Sequence, residues 1–164
     1  MTNDRITDAL PLTRGRPPRN GSPRLRLLVV DDHTLLRQAL RMLLDGQDGV
    51  EVVGEATNGR DAVDAAERLR PDVVLMDMVM PGLNGIDATR QIVKKAPEVR
   101  VLILSMHSDE TYVTRALNAG ATGYILKDSA GKDLICAVAA VAEGRSFFSP
   151  AVSRLMLDDY VRRA

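Results

Sequence analysis

The sequence predicts an α/β protein, a parallel sheet covered by helices on both faces. Short apolar runs such as Leu27-Leu28-Val29-Val30 and Val73-Val74-Leu75-Met76 alternate with stretches of helical periodicity. Near-continuous apolar runs suit strands buried on both faces. Five strand–helix units follow one another, and such repetition specifies a parallel sheet with right-handed crossovers. Acids end two of the runs, Asp31 and Asp32 after the first and Asp77 after the third. In such sheets the functional crevice lies beyond the carboxyl ends of the strands.

Leu25–Val30 reads as the first strand. Thr34–Leu44 follows as a helix, with Leu35, Leu36, Ala39, Leu40, Leu43 and Leu44 at helical spacing. Gly46 and Gly49 break it before a second strand, Val50–Ala56. Asn58-Gly59 opens a second helix with Ala62, Val63, Ala65, Ala66 and Leu69 on its inner side, and Pro71 stops it. Val73–Met76 is the third strand. Gly85–Lys95 is the third helix, with Ile86, Ala88, Thr89, Ile92 and Val93 inward and Pro97 beyond its end. Val101–Leu104 is the fourth strand. The Asp109–Asn118 segment is a helix capped by Ser108 or Asp109, with Gly120 at its end. Gly123–Leu126 is the fifth strand, and Ala130–Glu143 the fifth helix, closed by Gly144. A last helix, Ser149–Arg163, has Ser149 as its cap and Pro150 at its first position. Its stripe of Val152, Leu155, Met156 and Tyr160 fits a docked sixth helix, a dimer contact or the start of a linker.

The 164 residues suffice for one domain and an appendage. With 45% hydrophobic residues and only 3% aromatic ones, the core must be aliphatic. The 22 basic and 22 acidic residues cancel, so the whole chain offers no electrostatic case for nucleic-acid binding. The charge is uneven, however. Six arginines against Asp4 and Asp8 give residues 1–26 a net charge of +4. Residues 1–23 also hold Pro11, Pro17, Pro18 and Pro23, a composition that reads as a flexible basic tail. The single cysteine, Cys136, excludes an intramolecular disulfide and suits a reducing cytoplasm. Within Leu134-Ile135-Cys136-Ala137-Val138 it reads as a packed, inert thiol. No apolar run reaches the ~18 residues of a membrane span, and no secretory signal is expected. A cytoplasmic protein follows.

Asp31, Asp32, Asp77, Ser105 and Lys127 all stand at strand exits. Carboxylates with open coordination positions suit Mg²⁺, which prefers oxygen ligands and keeps several waters. A lysine supplies a point charge for a phosphoryl oxygen, a serine supplies a donor, and an aspartate can attack phosphorus to form an acyl phosphate. Taken singly, each residue has an ordinary role as a turn former, a helix-start hydroxyl or a surface charge. The joint placement points to phosphoryl chemistry.

Three segments carry a family resemblance. Leu28-Val29-Val30-Asp31-Asp32-His33, the stretch Asp72-Val73-Val74-Leu75-Met76-Asp77 through Gly85, and Ala119-Gly120-Ala121-Thr122-Gly123-Tyr124-Ile125-Leu126-Lys127 resemble the receiver domain of two-component response regulators. The segment Gly144-Arg145-Ser146-Phe147-Phe148-Ser149-Pro150 is similar to the NarL/FixJ subfamily, which carries a LuxR-type helix-turn-helix after its receiver. The resemblance implies a flavodoxin-like, five-stranded sheet of order 2-1-3-4-5. The implied domains are the tail 1–23, a receiver over 24–145, and a C-terminal helix or linker over 146–164 that leads to a DNA-binding domain absent from this chain.

The resemblance also assigns roles. Asp77 is the implied phosphoacceptor for a sensor histidine kinase. Asp32 and Asp77 are implied as direct Mg²⁺ ligands, Asp31 mainly through water, and the Val79 backbone carbonyl as the third protein ligand. Lys127 is implied to pair with Asp77 or its phosphoryl group, and Ser105 to bond a phosphoryl oxygen. Tyr124 is the implied switch aromatic, turning inward as Ser105 moves. Homodimerisation on activation, through helices one and five, and DNA contact only through the absent domain are also implied. No catalysis beyond the domain's own phosphorylation and dephosphorylation is expected.

Other classes fit less well. A haloacid-dehalogenase-type phosphohydrolase wants a second aspartate two residues after the nucleophile, and Val79 stands there. A nucleotide-binding Rossmann-like domain wants glycines after strand one, where the chain reads Asp31-Asp32-His33-Thr34. A stand-alone receiver that acts by protein contact stays open. His33 and His107 flank the crevice without further imidazole or thiol partners and are set aside as metal ligands. Met76, Met78, Met80 and Met106 read as core and loop filling.

Overall fold

The computed structural model describes residues 24–163; the basic segment 1–23 lies outside the described residues. The parallel sheet has the order β2-β1-β3-β4-β5-β6. Its strands are β1 (Leu25–Val30), β2 (Val50–Ala56), β3 (Val73–Asp77), β4 (Arg100–Ser105), β5 (Gly123–Leu126) and β6 (Phe147–Phe148). The helices are α1 (Thr34–Asp45), α2 (Gly59–Leu69), α3 (Gly85–Lys95), α4 (Glu110–Asn118), α5 (Ala130–Ala142) and α6 (Pro150–Arg163). The order reverses at β1, from which the chain runs out to β2 and then back past β1 to β3.

Alternation along the strands divides the core in two. Leu28, Val30, Val74, Met76, Val101, Ile103 and Tyr124 face one way and pack with Ala62, Ala66, Ile86, Ile92, Val113 and Ala116 of α2, α3 and α4. Leu27, Val29, Val73, Leu75, Leu102, Leu104 and Ile125 face the other way, against Leu40 and Leu44 of α1 and Leu134, Val138 and Val141 of α5. Both faces of the central strands are therefore apolar, and every residue of β3 is buried.

Four sequence-derived expectations need correction. The sheet has six strands rather than five, because Gly144 turns the chain with φ 85° and Phe147–Phe148 pairs with Gly123 and Tyr124. Two residues are too few to show any periodicity. Cys136 is exposed rather than packed, because α5 buries Leu134, Ala137, Val138 and Val141, a helical stripe that leaves position 136 outside. Asp109 stands at the N-terminus of α4, but its side chain makes no capping bond. Ser149 precedes α6, but its hydroxyl accepts a hydrogen bond from the Leu126 backbone N–H at 2.9 Å.

Of the choices open for the last helix, docking is what the structure displays. Val152 is fully buried and Leu155 and Met156 pack on the core. Arg162 meets Glu110 of α4 at 2.9 Å. Tyr160, assigned to the same stripe, is 73% exposed.

The layering predicts unequal costs for one substitution type. Leu75→Ala, at a site 1% exposed, should destabilise the domain by about 2–5 kcal/mol. Leu35→Ala, at a site 81% exposed, should change stability by less than about 0.5 kcal/mol. Urea unfolding of both variants measures the difference.

Candidate phosphoryl and metal site

Parallel register sets the site. Val30 pairs with Met76, Asp77 with Leu104, and Ser105 with Leu126. The chain therefore delivers Asp31 and Asp32, Asp77, Ser105 and Lys127 to one edge of the sheet. Asp32, Asp77, Val79, Ser105 and Lys127 line a cleft of about 360 Å³ there, with His33, Met80, Pro81, Met106 and His107.

The loop after β3 is held close by Gly85. Its N–H donates to the Met78 carbonyl at 2.9 Å. A Cβ on residue 85 would lie 2.1 Å from the Asp77 carbonyl oxygen, so only glycine fits. Asn84 caps α3 by accepting from the Asp87 N–H at 2.9 Å.

Asp77 is 3% exposed, and its Oδ1 lies 3.0 Å from the Lys127 Nζ. The same ammonium lies 3.4 Å from the Asp31 Oδ2. Asp31 is fully buried. Its Oδ1 accepts the His33 N–H at 2.8 Å and sits 3.0 Å from the His33 Nδ1. Its backbone carbonyl accepts from the Arg37 Nη1 at 2.9 Å.

One lysine cannot balance three carboxylates. Burial raises the Asp77 pKa to about 6 against the lowering effect of its bond to Lys127, and the charges of Asp31 and Asp32 push it further up. Buried oxygens of all three acids, Asp31 Oδ2, Asp32 Oδ1 and Asp77 Oδ2, accept no hydrogen bond. Ligand atoms of Asp31, Asp32, His33 and Asp77 all lie within 4.8 Å of one another. Unsatisfied carboxylate oxygens converging at that spacing fit a hard divalent cation such as Mg²⁺.

Ser105 is buried at the end of β4, and its Oγ accepts the His107 N–H at 2.9 Å. Tyr124 is fully buried, and its hydroxyl donates to the His107 carbonyl at 2.5 Å and approaches the Met78 Sδ at 3.8 Å. Tyr124 therefore points inward, and Ser105 and Tyr124 hold the same backbone residue. The His107 ring stacks on Tyr112 with centroids 4.6 Å apart. Met76, Met78 and Met80 are buried as filling, whereas Met106 is 67% exposed at the cleft.

Sequence reasoning missed three neighbours of the site. His33 is set aside by the sequence, yet its Nδ1 lies 3.0 Å from the Asp31 Oδ1 and 3.2 Å from the Asp32 Oδ1. Its place directly after two acids was the available signal. Arg37, one helical turn into α1, and Ser149, far along the chain, gave none.

Fold and site define an α/β domain with an acidic, cation-seeking cleft at the carboxyl edge of its sheet, beside a lysine and a serine. The chain belongs to the response regulator receiver domain family, whose model matches residues 27–139. The transcriptional regulatory protein DegU of Brevibacillus brevis is 40% identical over 139 residues, covering 85% of this chain and 59% of that protein. A crystal structure of a LuxR-family two-component response regulator from Aurantimonas sp. SI85-9A1 superposes with a TM-score of 0.81 at 35% identity, covering 84% of this chain and 99% of that one. The isolated receiver domain of RcsB from Salmonella enterica serovar Typhimurium, solved with the phosphomimetic BeF3-, gives 0.74 at 28% identity, covering 80% and 98%. The chain spans about three fifths of the length of the curated relatives it matches. Among the described residues, no helix is long and apolar enough to cross a membrane.

The raised Asp77 pKa has a sign for stability. A carboxylate with pKa 3.8 when unfolded and about 6 when folded binds its proton more tightly in the folded state. The metal-free protein therefore loses stability through Asp77 as pH rises through that window. Asp77→Asn removes this loss. Between about pH 4 and about pH 7 the variant should gain on wild type by on the order of 1–3 kcal/mol. Urea unfolding across that range in chelator measures the gain, and a flat difference would contradict it.

Proposed function

We propose that the domain accepts a phosphoryl group on Asp77 from a phosphohistidine of a sensor histidine kinase, in a Mg²⁺-dependent reaction. One observation carries this: Asp77 is buried at the cleft with one oxygen on Lys127 at 3.0 Å and the other accepting no hydrogen bond. An Asp77 oxygen attacks phosphorus. The P–N bond of the donor breaks with its electron pair going to the imidazole nitrogen, and the P–O bond of an acyl phosphate forms. The Lys127 ammonium meets the charge of the transferred group, and the Ser105 hydroxyl donates to one of its oxygens.

Asp32 and Asp77 would hold Mg²⁺ directly, Asp31 largely through water, and the Val79 backbone carbonyl would complete the protein ligands. The bound ion supplies positive charge against the transferring phosphoryl oxygens. Phosphorylation adds about two negative charges. Recruitment of Ser105 then pulls on the His107 N–H, and the His107 carbonyl carries Tyr124 with it. A local charge change thereby biases the packing of the α4–β5 surface.

The output we infer is transcriptional, through a C-terminal helix-turn-helix domain outside this chain, with dimerisation through α1 and α5 on activation and a cytoplasmic location. The naming of DegU as a transcriptional regulatory protein supports the output. The RcsB receiver with its phosphomimetic supports the phosphoryl chemistry.

Incubation with a small phosphodonor and Mg²⁺ should add one phosphoryl group that alkali removes, read by intact mass. Asp77→Asn should gain none, and its continued labelling would overturn the assignment. Lys127→Ala should keep the acceptor but slow labelling by about a hundredfold.

A further inference from the structure

Ser149 lies outside the cleft, yet its surroundings lead to Lys127. The ladder between β5 and β6 ends where Phe148 pairs with Tyr124. The next backbone rung is still made, with the Ser149 N–H donating to the Tyr124 carbonyl at 3.1 Å. Beyond it β6 has no strand left, and the Ser149 Oγ takes over by accepting the Leu126 N–H at 2.9 Å. The Leu126 carbonyl accepts the Ser129 hydroxyl at 3.2 Å, and the Ser129 and Ser149 hydroxyls lie 3.3 Å apart. Ser149 is 1% exposed.

Leu126 is the residue directly before Lys127 and the register partner of Ser105. A buried hydroxyl from beyond the five βα units thus fixes the end of β5 on one side while β4 fixes it on the other. A buried N–H left without a partner is costly, so the strand end moves toward another partner or opens to a water. Any such shift is inherited by Lys127, whose Nζ must stay within bonding distance of Asp77.

We propose that Ser149 is a positioning residue for Lys127. Its bond to the Leu126 N–H holds the end of β5 where the Lys127 ammonium meets Asp77, and ties that end to the first turn of α6. Its part in phosphorylation rests on the role of Lys127 proposed above; its part in geometry does not.

The test uses the full chain in four forms: wild type, Ser149→Ala, Ser149→Thr and Ser149→Ala combined with Lys127→Ala. Ser149→Ala should slow labelling by the small phosphodonor about tenfold, with the Kd for Mg²⁺ changed less than about twofold, because Lys127 is not a metal ligand. Ser149→Thr, which keeps the hydroxyl, should restore the rate. In the Lys127→Ala background Ser149→Ala should have no further effect, since residues that act through one group are not additive. The Lys127 ammonium signal, assigned by ¹H–¹⁵N NMR from its loss in Lys127→Ala, should move in Ser149→Ala and return in Ser149→Thr. An unmoved ammonium signal, or an equal tenfold loss in the Lys127→Ala background, would overturn the proposal. If wild type takes no phosphoryl group, the function proposed above falls while the ammonium signal still decides the role of Ser149.

Discussion

Crowding of like charge at one sheet edge is the constraint on which the rest depends. Asp31, Asp32 and Asp77 converge where a single ammonium must answer for all of them. Burying carboxylates without full compensation is unfavourable, and the raised pKa of Asp77 is the visible consequence. Such a site holds together because its surroundings are rigid. Asp31 is fixed by the His33 backbone, by Arg37 and by the strand that carries it. Asp77 is fixed by a fully buried strand and by the close approach of Gly85.

The sheet makes this possible by separating two tasks. Its two faces bury aliphatic side chains against the helices, α6 included, and this packing stabilises the domain. Its carboxyl edge carries the polar residues, where the strand order reverses and loops splay apart. The edge stores electrostatic strain that the faces offset. A cation or a phosphoryl group arriving there finds groups already oriented. The His107 backbone joins the Ser105 hydroxyl at the cleft to the Tyr124 hydroxyl in the core.

Much of this was legible in the chain. Doubly buried strands write themselves as apolar runs, and the acids, serine and lysine at their exits stood in the right order. Strand boundaries came within a residue or two, because the apolar runs end where the polar edge begins. What escaped had a physical reason in each case. Phe147–Phe148 is too short for a period and joins the sheet only through pairing with β5. Cys136 sits among apolar neighbours, yet the stripe of α5 turns it outward, a matter of helical phase that composition hides. Ser149 looked like a helix cap because Ser-Pro begins many helices, but tertiary contact with Leu126 claims its hydroxyl. The inward placement of Tyr124 depends on a bond to a distant carbonyl that no spacing encodes.

If the proposed Mg²⁺ site is right, the ion binds the free protein and stabilises it by offsetting the unbalanced charge of these carboxylates. Thermal unfolding in the presence and absence of Mg²⁺ tests this directly. The melting temperature of wild type should rise with Mg²⁺, as mass action requires of a ligand that binds only the folded state, and the rise should vanish in Asp32→Asn. A wild-type melting temperature indifferent to Mg²⁺, or an equal rise in Asp32→Asn, would contradict it.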